Sequence, residues 1–160
     1  MTLGRLTRAK PEVPQYLLES GLAGTGIIAI TQPRRVATTS LASRVASEQN
    51  VAVGDLVGYA VRFDERYGSS TKIKYLTDGM LLRELISDSL LSRYSVIIID
   101  EAHERTLRTD LLISSLKTIL RSRNGPKVNN GKVPSTRNPL KVVIMSATLD
   151  AEKFSNFYDK

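Results

Sequence analysis

Short apolar runs rich in β-branched residues alternate along this chain with longer segments in which apolar residues recur at helical spacing. A short continuous apolar run favours a buried strand, whereas apolar positions three and four residues apart favour an amphipathic helix. Strands are predicted over residues 27–30, within 54–63, and over 72–76, 95–99 and 142–145. Helices are predicted from Pro11 to Gly21 and over residues 36–48, 78–87, 107–120 and 151–158.

Strands that alternate with helices predict βαβ units, and therefore a mostly parallel sheet with helices on both faces. The length of 160 residues fits one such α/β domain. Residues 31–33 are expected to form a turn after the first strand. In the helix over residues 107–120, the positions expected to face the core are Leu111, Leu112, Ser115, Leu116 and Ile119.

The composition is that of an ordinary globular chain, with 41% hydrophobic and 24% charged residues. The lack of cysteine excludes a disulfide framework and a thiolate metal site. The net charge of +7 favours a phosphate-rich partner, although composition leaves a merely basic surface as an equal alternative. Since no apolar run has the length of a membrane span or the form of a signal peptide, we expect an intracellular protein.

Two adjacent carboxylates, Asp100 and Glu101, directly follow the most apolar predicted strand. Ligands of parallel sheets bind at the carboxyl ends of the strands. A carboxylate there can hold Mg²⁺ on a nucleotide, and a neighbouring carboxylate can orient or deprotonate a water molecule. By itself the pair is a modest signal, because acidic residues commonly end strands.

The sequence Asp-Glu-Ala-His at residues 100–103 resembles motif II of the DEAH-box RNA helicases. The strings at residues 31–37, 75–84 and 146–148 resemble motifs Ia, Ib and III of that family. Residues 58–64 resemble the segment between motifs Ia and Ib, where the resemblance implies contacts to the RNA backbone. The resemblance covers about residues 13–160. It implies the first RecA-like domain of a helicase, a P-loop NTPase fold with ATP and Mg²⁺ as cofactors and RNA as partner. The Ala-His pair and the Gln-Pro-Arg-Arg string argue against the related viral and DExD-box helicases.

The resemblance implies roles for the residues around the nucleotide. Asp100 and Glu101 would hold Mg²⁺, and Glu101 would also act as general base. His103 would couple the nucleotide site to motif III, whose Ser146 and Thr148 would link hydrolysis to strand movement. The alternatives are a structural histidine, which is the usual role of a lone histidine, and a helix N-cap at residues 146–148.

Further contacts implied by the resemblance lie away from the hydrolysis centre. Arg44 would stack its guanidinium on the adenine base. The starts of two helices would contact the RNA backbone, through arginines and backbone N–H groups. The alternatives are a salt-bridged surface pair of arginines and simple helix capping by a Thr or Asp side chain. The residues implied to contact RNA are Gln32, Arg34, Arg35, Thr77, Asp78 and Gly79.

The chain departs from the family near its N-terminus. The family has there a strand and a phosphate loop ending in Gly-Lys-Ser/Thr, but no Gly-x-x-x-x-Gly-Lys occurs in this sequence. Alignment on Val-Pro-Gln at residues 13–15 puts Ala9 at the phosphate lysine and Lys10 at the metal-binding hydroxyl position. We therefore expect residues 1–12 to be a non-family segment and residues 13–160 to be an incomplete domain that lacks the N-terminal strand and phosphate loop. Loss of that strand would expose sheet edges.

We interpret the sequence as a DEAH-box ATP-dependent RNA helicase, represented by part of its first motor domain. ATP hydrolysis by these residues alone is expected to be poor, because phosphate positioning and charge stabilisation are lost. The second RecA-like domain of the family is an expected partner outside this sequence. The alternative is a non-catalytic module that binds RNA or a protein partner. The expected location is the nucleus or nucleolus rather than the cytoplasm.

Overall fold

The computed structural model describes residues 12–125 and 139–146, and every structural statement below concerns these residues. A short 3₁₀ turn over Ala102–Glu104 lies between the fifth strand and the fourth helix. The elements in chain order are α1 (Glu12–Glu19), β1 (Ile27–Gln32), α2 (Arg35–Glu48), β2 (Val57–Val61), β3 (Asp64–Arg66), β4 (Ile73–Thr77), α3 (Asp78–Ser87), β5 (Tyr94–Ile99), α4 (Leu107–Asn124) and β6 (Lys141–Ile144).

The six described strands form one sheet in the order β3-β2-β4-β1-β5-β6. Neighbouring strands are parallel, except that β2 and β3 form an antiparallel hairpin. The strands β1, β2, β4, β5 and β6 consequently end at the same edge of the sheet, which we call the carboxyl edge. The predicted α/β architecture with a mostly parallel sheet is confirmed.

Apolar side chains pack on both faces of this sheet. Helices α1 and α2 cover one face, where Ile28, Ile30 and Val45 belong to one buried cluster. Helices α3 and α4 cover the other face, where Leu76 and Ile97 belong to a second cluster. Burial on both faces explains why β5 is a continuous apolar run and not an alternating one. None of the described helices is both long enough and apolar enough to cross a membrane.

The structure corrects two predictions about strands. Thr31 and Gln32, expected in a turn, continue β1 and lie opposite Leu76 and Thr77 of β4. The three-residue strand β3 was not predicted, because its charged residues are all exposed and carry no hydrophobic period.

Helix α4 is longer than predicted, and its buried face includes Leu112, Leu116 and Ile119 as predicted but not Leu111. It continues to Asn124, whose side-chain amide bonds both the N–H and the carbonyl of Leu140 and so fixes the entry into β6. Leu111 was expected inward but is 51% exposed, and Ile113 is buried in its place. The polar Thr109 also lies on the buried face, where its hydroxyl donates to a carboxylate at the start of α3. The helix predicted over residues 151–158 lies outside the described residues.

Candidate functional site

Residues from distant parts of the sequence meet at the carboxyl edge of the sheet. Gln32 ends β1 and lies opposite Thr77, which ends β4. Asp100 directly follows β5, and Ser146 lies two residues beyond the end of β6. The parallel topology therefore brings together the ends of four strands whose sequences resemble motifs Ia, Ib, II and III.

Asp100 is buried at this edge, with 3% of its surface exposed, and Asp78 is buried to a similar extent. Its carboxylate accepts a hydrogen bond from the Gln32 side-chain amide and one from the Glu101 backbone N–H, the latter at 2.8 Å. Burial raises the pKa of the Asp100 carboxyl to about 6, although the Glu101 N–H partly opposes this shift. Neither of these hydrogen-bond donors carries a charge, so they orient the carboxylate without neutralising it.

The segment after Asp100 is a strained turn tied to the end of β6. Glu101 and Arg105 flank the 3₁₀ turn with positive φ angles of 53° and 47°, a conformation that is uncommon for residues other than glycine. The Ala102 N–H donates to the Met145 carbonyl at 3.0 Å, and the Met145 N–H donates to the Ile99 carbonyl at 2.8 Å. These backbone bonds link the motif II segment directly to the strand that leads into Ser146.

His103 Nδ1 lies 3.3 Å from Glu101 Oε2. Both side chains are partly exposed, so the histidine is close to the expected general base without being part of the core. The predicted coupling of His103 to motif III concerns Ser146 and Thr148, of which Thr148 lies outside the described residues. The backbone of Ala102 connects this turn to the residue that follows β6, Met145.

The two carboxylates predicted to hold Mg²⁺, Asp100 and Glu101, lie at the same strand end. In residues 12–125 and 139–146 no group of three or more acidic, histidine or cysteine side chains forms a protein metal cage. Mg²⁺ seldom needs such a cage, because it keeps several waters and is held by one or two carboxylates together with substrate phosphates. A buried carboxylate with a raised pKa beside a second, half-exposed one fits a cation that arrives with a nucleotide.

Arg44 lies on the exposed side of α2, with 63% of its side chain accessible. Its Nε lies 2.8 Å from Glu48 Oε1, and Glu48 also accepts a hydrogen bond from Gln15 at 2.7 Å. These two bonds lower the pKa of the Glu48 carboxyl, and the bond from Arg44 has the larger effect. The buried Tyr75 has its pKa raised by burial and then by Asp100, with Arg44 acting in the opposite sense.

Two of the residues predicted to contact RNA face the protein interior. Gln32 is 4% exposed and bonds Asp100, so its side chain belongs to the carboxylate site and not to the surface. Asp78 is 2% exposed and accepts a hydrogen bond from Thr109 Oγ1 at 2.5 Å. Each of these side chains therefore has a buried partner within the protein, and the RNA contact of the two residues stays a prediction. Helix capping is not observed either, because Thr77 is the N-cap residue of α3 but makes no side-chain cap bond.

The other predicted RNA contacts lie at helix starts near the surface. Arg34 and Arg35 are exposed at the start of α2, which has no acidic residue in its first turn and no side-chain cap. Such a helix end favours an anion. Arg34 Nη2 lies 2.9 Å from Glu104 Oε1, so the alternative of a salt-bridged surface arginine holds for this residue. Gly79, half-buried at the start of α3, lies beside the Arg108 side chain.

The tip of the β2–β3 hairpin lies within residues 58–64, the segment that resembles the stretch between motifs Ia and Ib and was expected to contact the RNA backbone. Phe63 is 88% exposed there and has a positive φ of 67°. The Arg62 guanidinium lies 4.8 Å from the centroid of its ring. Because β2 ends at the carboxyl edge, this aromatic and cationic pair lies at the same edge as Thr77. The sequence prediction concerned backbone contacts and did not single out the Phe63 ring.

No protein-family model matches the chain. The chain is similar to the ATP-dependent RNA helicase DHX33 of Homo sapiens, with 53% identity over 148 residues, which are 92% of this chain and 20% of the relative. The Mus musculus DHX33 is 52% identical over 149 residues, 93% of this chain and 20% of that protein. The probable ATP-dependent RNA helicase DHR2 of Saccharomyces cerevisiae is 51% identical over 151 residues, 92% of this chain and 19% of that protein. The chain thus spans about a fifth of the length of these curated relatives.

Proposed function

The chain is a homologue of the DEAH-box ATP-dependent RNA helicases over more than nine-tenths of its length, and we propose that its carboxyl edge is the nucleotide- and RNA-contacting edge of such a motor. The observation that carries this proposal is the buried Asp100 carboxylate, oriented by Gln32 at the end of a central parallel strand. That position is where parallel α/β sheets bind ligands. The activity proposed for the whole protein is ATP hydrolysis coupled to RNA unwinding or remodelling.

The nucleotide side of this edge comprises Asp100, Glu101, His103 and Arg44. Bound Mg²⁺ would supply charge neutralisation on the phosphates. Asp100 would hold the ion through water, since its carboxylate is already oriented by two donors. Glu101, half exposed at the same strand end, would orient the attacking water and accept its proton, with His103 beside its carboxylate. Arg44 would contact the base from the exposed side of α2.

The RNA side is proposed to consist of exposed cations and one aromatic ring. Arg34 and Arg35 would contact RNA phosphates at the start of α2. The protein backbone near Gly79 would closely approach the sugar–phosphate backbone of the RNA. Phe63 and Arg62 would add base stacking, which tolerates any sequence because every base has an aromatic face. Binding should therefore be sensitive to salt and indifferent to base sequence.

These residues by themselves are proposed to be a poor ATPase. The sequence contains no Gly-Lys phosphate loop, so neither its N–H groups nor its lysine would hold the β- and γ-phosphates. A single arginine finger is worth about 10³ to 10⁵ in the rate of phosphoryl transfer, which sets the scale of such losses. The second candidate function is therefore a non-catalytic RNA-binding module, favoured by exposed RNA-side residues that do not need a nucleotide. A second RecA-like domain is proposed as its partner.

Two titrations of the purified chain test the proposal. Calorimetry with Mg²⁺-ATP, with the variant Asp100→Ala, Glu101→Ala as control, is expected to show no micromolar binding. Micromolar binding that the control loses would mean that the nucleotide site works without a phosphate loop. Fluorescence anisotropy with a labelled single-stranded uridine RNA is expected to show binding that weakens with salt.

The matched variants for the RNA titration are Arg35→Gln at the carboxyl edge and Arg93→Gln, which removes the same charge just before β5, at the opposite edge. Arg35→Gln should weaken binding more than Arg93→Gln. Equal losses would contradict the assignment of the carboxyl edge to RNA, and no binding by the folded wild type would contradict the RNA part of the proposal.

A further inference from the structure

An ion pair joins the start of α2 to the loop that follows β5. Arg34 Nη2 lies 2.9 Å from Glu104 Oε1, and the two residues are 70 positions apart in sequence. The Arg34 side chain is 76% exposed, whereas that of Glu104 is 27% exposed. The glutamate is therefore the more firmly seated partner, and the arginine is the one that solvent or a ligand can reach.

The position of Glu104 is set by the same turn that presents Glu101. Glu104 closes the 3₁₀ turn, and its N–H donates to the Glu101 carbonyl at 2.9 Å. The residues on either side of this turn, Glu101 and Arg105, both have positive φ angles. The backbone of Glu104 is therefore joined directly to that of Glu101, so a rearrangement of one backbone segment shifts the other.

We propose that Glu104 competes with the RNA backbone for the Arg34 guanidinium, so that Arg34 engages RNA only when this ion pair opens. The inference rests on the RNA-contacting role of Arg34 in the proposed function. A guanidinium binds carboxylate and phosphate oxygens through the same donors. Arg34 reaches Glu104 through Nη2 alone, and exposed ion pairs of this kind are weak, so a phosphate can replace the carboxylate.

Glu104 is by this argument a positioning residue for Arg34. A ligand that reorders the Glu101 backbone would also displace the Glu104 carboxylate and release the arginine. The ion pair would then connect occupancy of the carboxylate site to the strength of the RNA contact on α2. No contact between the nucleotide and RNA is needed for such a connection.

Anisotropy titrations of the full chain with labelled single-stranded uridine RNA test the inference. Glu104→Gln removes the competing carboxylate, so the affinity of this variant for RNA should be about two- to five-fold higher than that of the wild type. This range corresponds to the free energy of a weak exposed ion pair. The slope of log affinity against log salt should steepen by up to about 0.7, the value of one added phosphate contact on a single strand. Glu104→Asp retains the charge and should return toward the wild-type affinity. The double variant Arg34→Gln, Glu104→Gln should bind like Arg34→Gln alone.

Asp110→Asn is the matched control, because it changes the net charge equally and opens the neighbouring exposed ion pair between Arg105 and Asp110, which measures 2.9 Å. A similar gain in Asp110→Asn, no gain in Glu104→Gln, or a gain that persists without Arg34 would each overturn the inference. If the wild type binds no RNA, the RNA part of the proposed function fails. In that case a gain of binding in Glu104→Gln would still support the competition, and no binding by either protein would overturn it.

Discussion

The Gln32 side-chain amide donates a hydrogen bond to the Asp100 carboxylate and so joins the ends of β1 and β5 across 68 positions of sequence. Both side chains are buried, and the donor is neutral. The bond orients the carboxylate but leaves its charge in place, which agrees with a pKa that burial raises to about 6. The fold therefore maintains an ionised group at neutral pH at a cost to its own stability, as functional sites often do.

Asp100→Asn is expected to raise the free energy of unfolding by about 1 to 3 kcal/mol near neutral pH, since one pKa unit corresponds to about 1.4 kcal/mol. The folded pKa of Asp100, about 6, lies above the ordinary value of 3.8. Stability contributed by the protonated carboxyl is therefore fully present below about pH 4 and is lost as the pH rises through about 6. Urea unfolding at about pH 4 and about pH 7.5 should show a gap between variant and wild type only at the higher pH.

The exposed Asp110→Asn serves as the control for this pH dependence, and its effect should stay within about 0.5 kcal/mol at both pH values. A gap for Asp100→Asn of the same size at both pH values would contradict the assignment of the cost to ionisation of a buried carboxyl.

Phe63→Ala and Phe63→Gly separate the contribution of the Phe63 ring to RNA binding from the backbone strain at this position. Phe63 is exposed and has a φ of 67°, where only glycine is unstrained. Both variants should weaken RNA binding about five-fold or more, because stacking of a base on an aromatic ring is worth about 1 to 3 kcal/mol. Phe63→Gly should be more stable to urea than Phe63→Ala by up to about 1 kcal/mol. Unchanged RNA affinity in both variants would exclude Phe63 from the RNA contact.

The buried ion pair between Lys74 and Glu84 gives an asymmetric prediction. Lys74 is 1% exposed, and its Nζ lies 2.8 Å from Glu84 Oε1 and 3.6 Å from the centroid of the Tyr67 ring. Glu84→Gln leaves the buried ammonium with neutral partners and should cost about 3 kcal/mol in urea unfolding. Lys74→Met should cost less, about 1 to 2 kcal/mol, because Glu84 is partly exposed and still accepts a hydrogen bond from Tyr94. A larger cost for Lys74→Met would contradict this order and show that the unpaired Glu84 carboxylate is the more costly remnant.

Gly58 on β2 is expected to tolerate no side chain. A Cβ at this position would lie 2.5 Å from the Arg66 carbonyl oxygen and 2.8 Å from Tyr67 Cβ. Gly58→Ala should therefore lower the free energy of unfolding by about 1 to 3 kcal/mol and displace β3 from the sheet. At Gly68, by contrast, the nearest atom to an added Cβ would be 3.6 Å away, so Gly68→Ala should be nearly neutral. Equal urea midpoints for the two variants would contradict the close approach of β3 to Gly58.

The sequence predicts the fold well where burial dictates the residue type. Helix α3 begins and ends at the predicted residues 78 and 87, because its amphipathic pattern matches its position on the sheet. The pattern fails for β3, which is held by backbone pairing with β2 and has no buried side chain. It also misses the burial of polar Thr109 in α4, which depends on a partner 31 residues away. Hydrophobic periodicity does not predict a hydrogen bond between residues that are distant in sequence.

For the candidate site, the sequence predicts where a residue lies along its strand but not which distant residue it contacts. The placement of Asp100 at a strand end follows from one apolar run and the rule for ligand sites in parallel sheets. The partners of Gln32 and Asp78 were not predictable, because each lies on a segment distant in sequence. Both side chains were therefore assigned to the RNA surface although they are buried. The pairing of Arg34 with Glu104 is hidden for the same reason, since surface charges have no periodicity that marks their partners.

His103 is the only histidine of the chain, and its ring lies 3.3 Å from the Glu101 carboxylate. In a proton NMR spectrum this single imidazole gives one isolated set of ring signals that requires no assignment. Movement of the loop between β5 and α4 on addition of nucleotide, magnesium or RNA would change the chemical shift of those signals. The protein therefore contains a native spectroscopic reporter at the loop where its proposed nucleotide and RNA contacts meet.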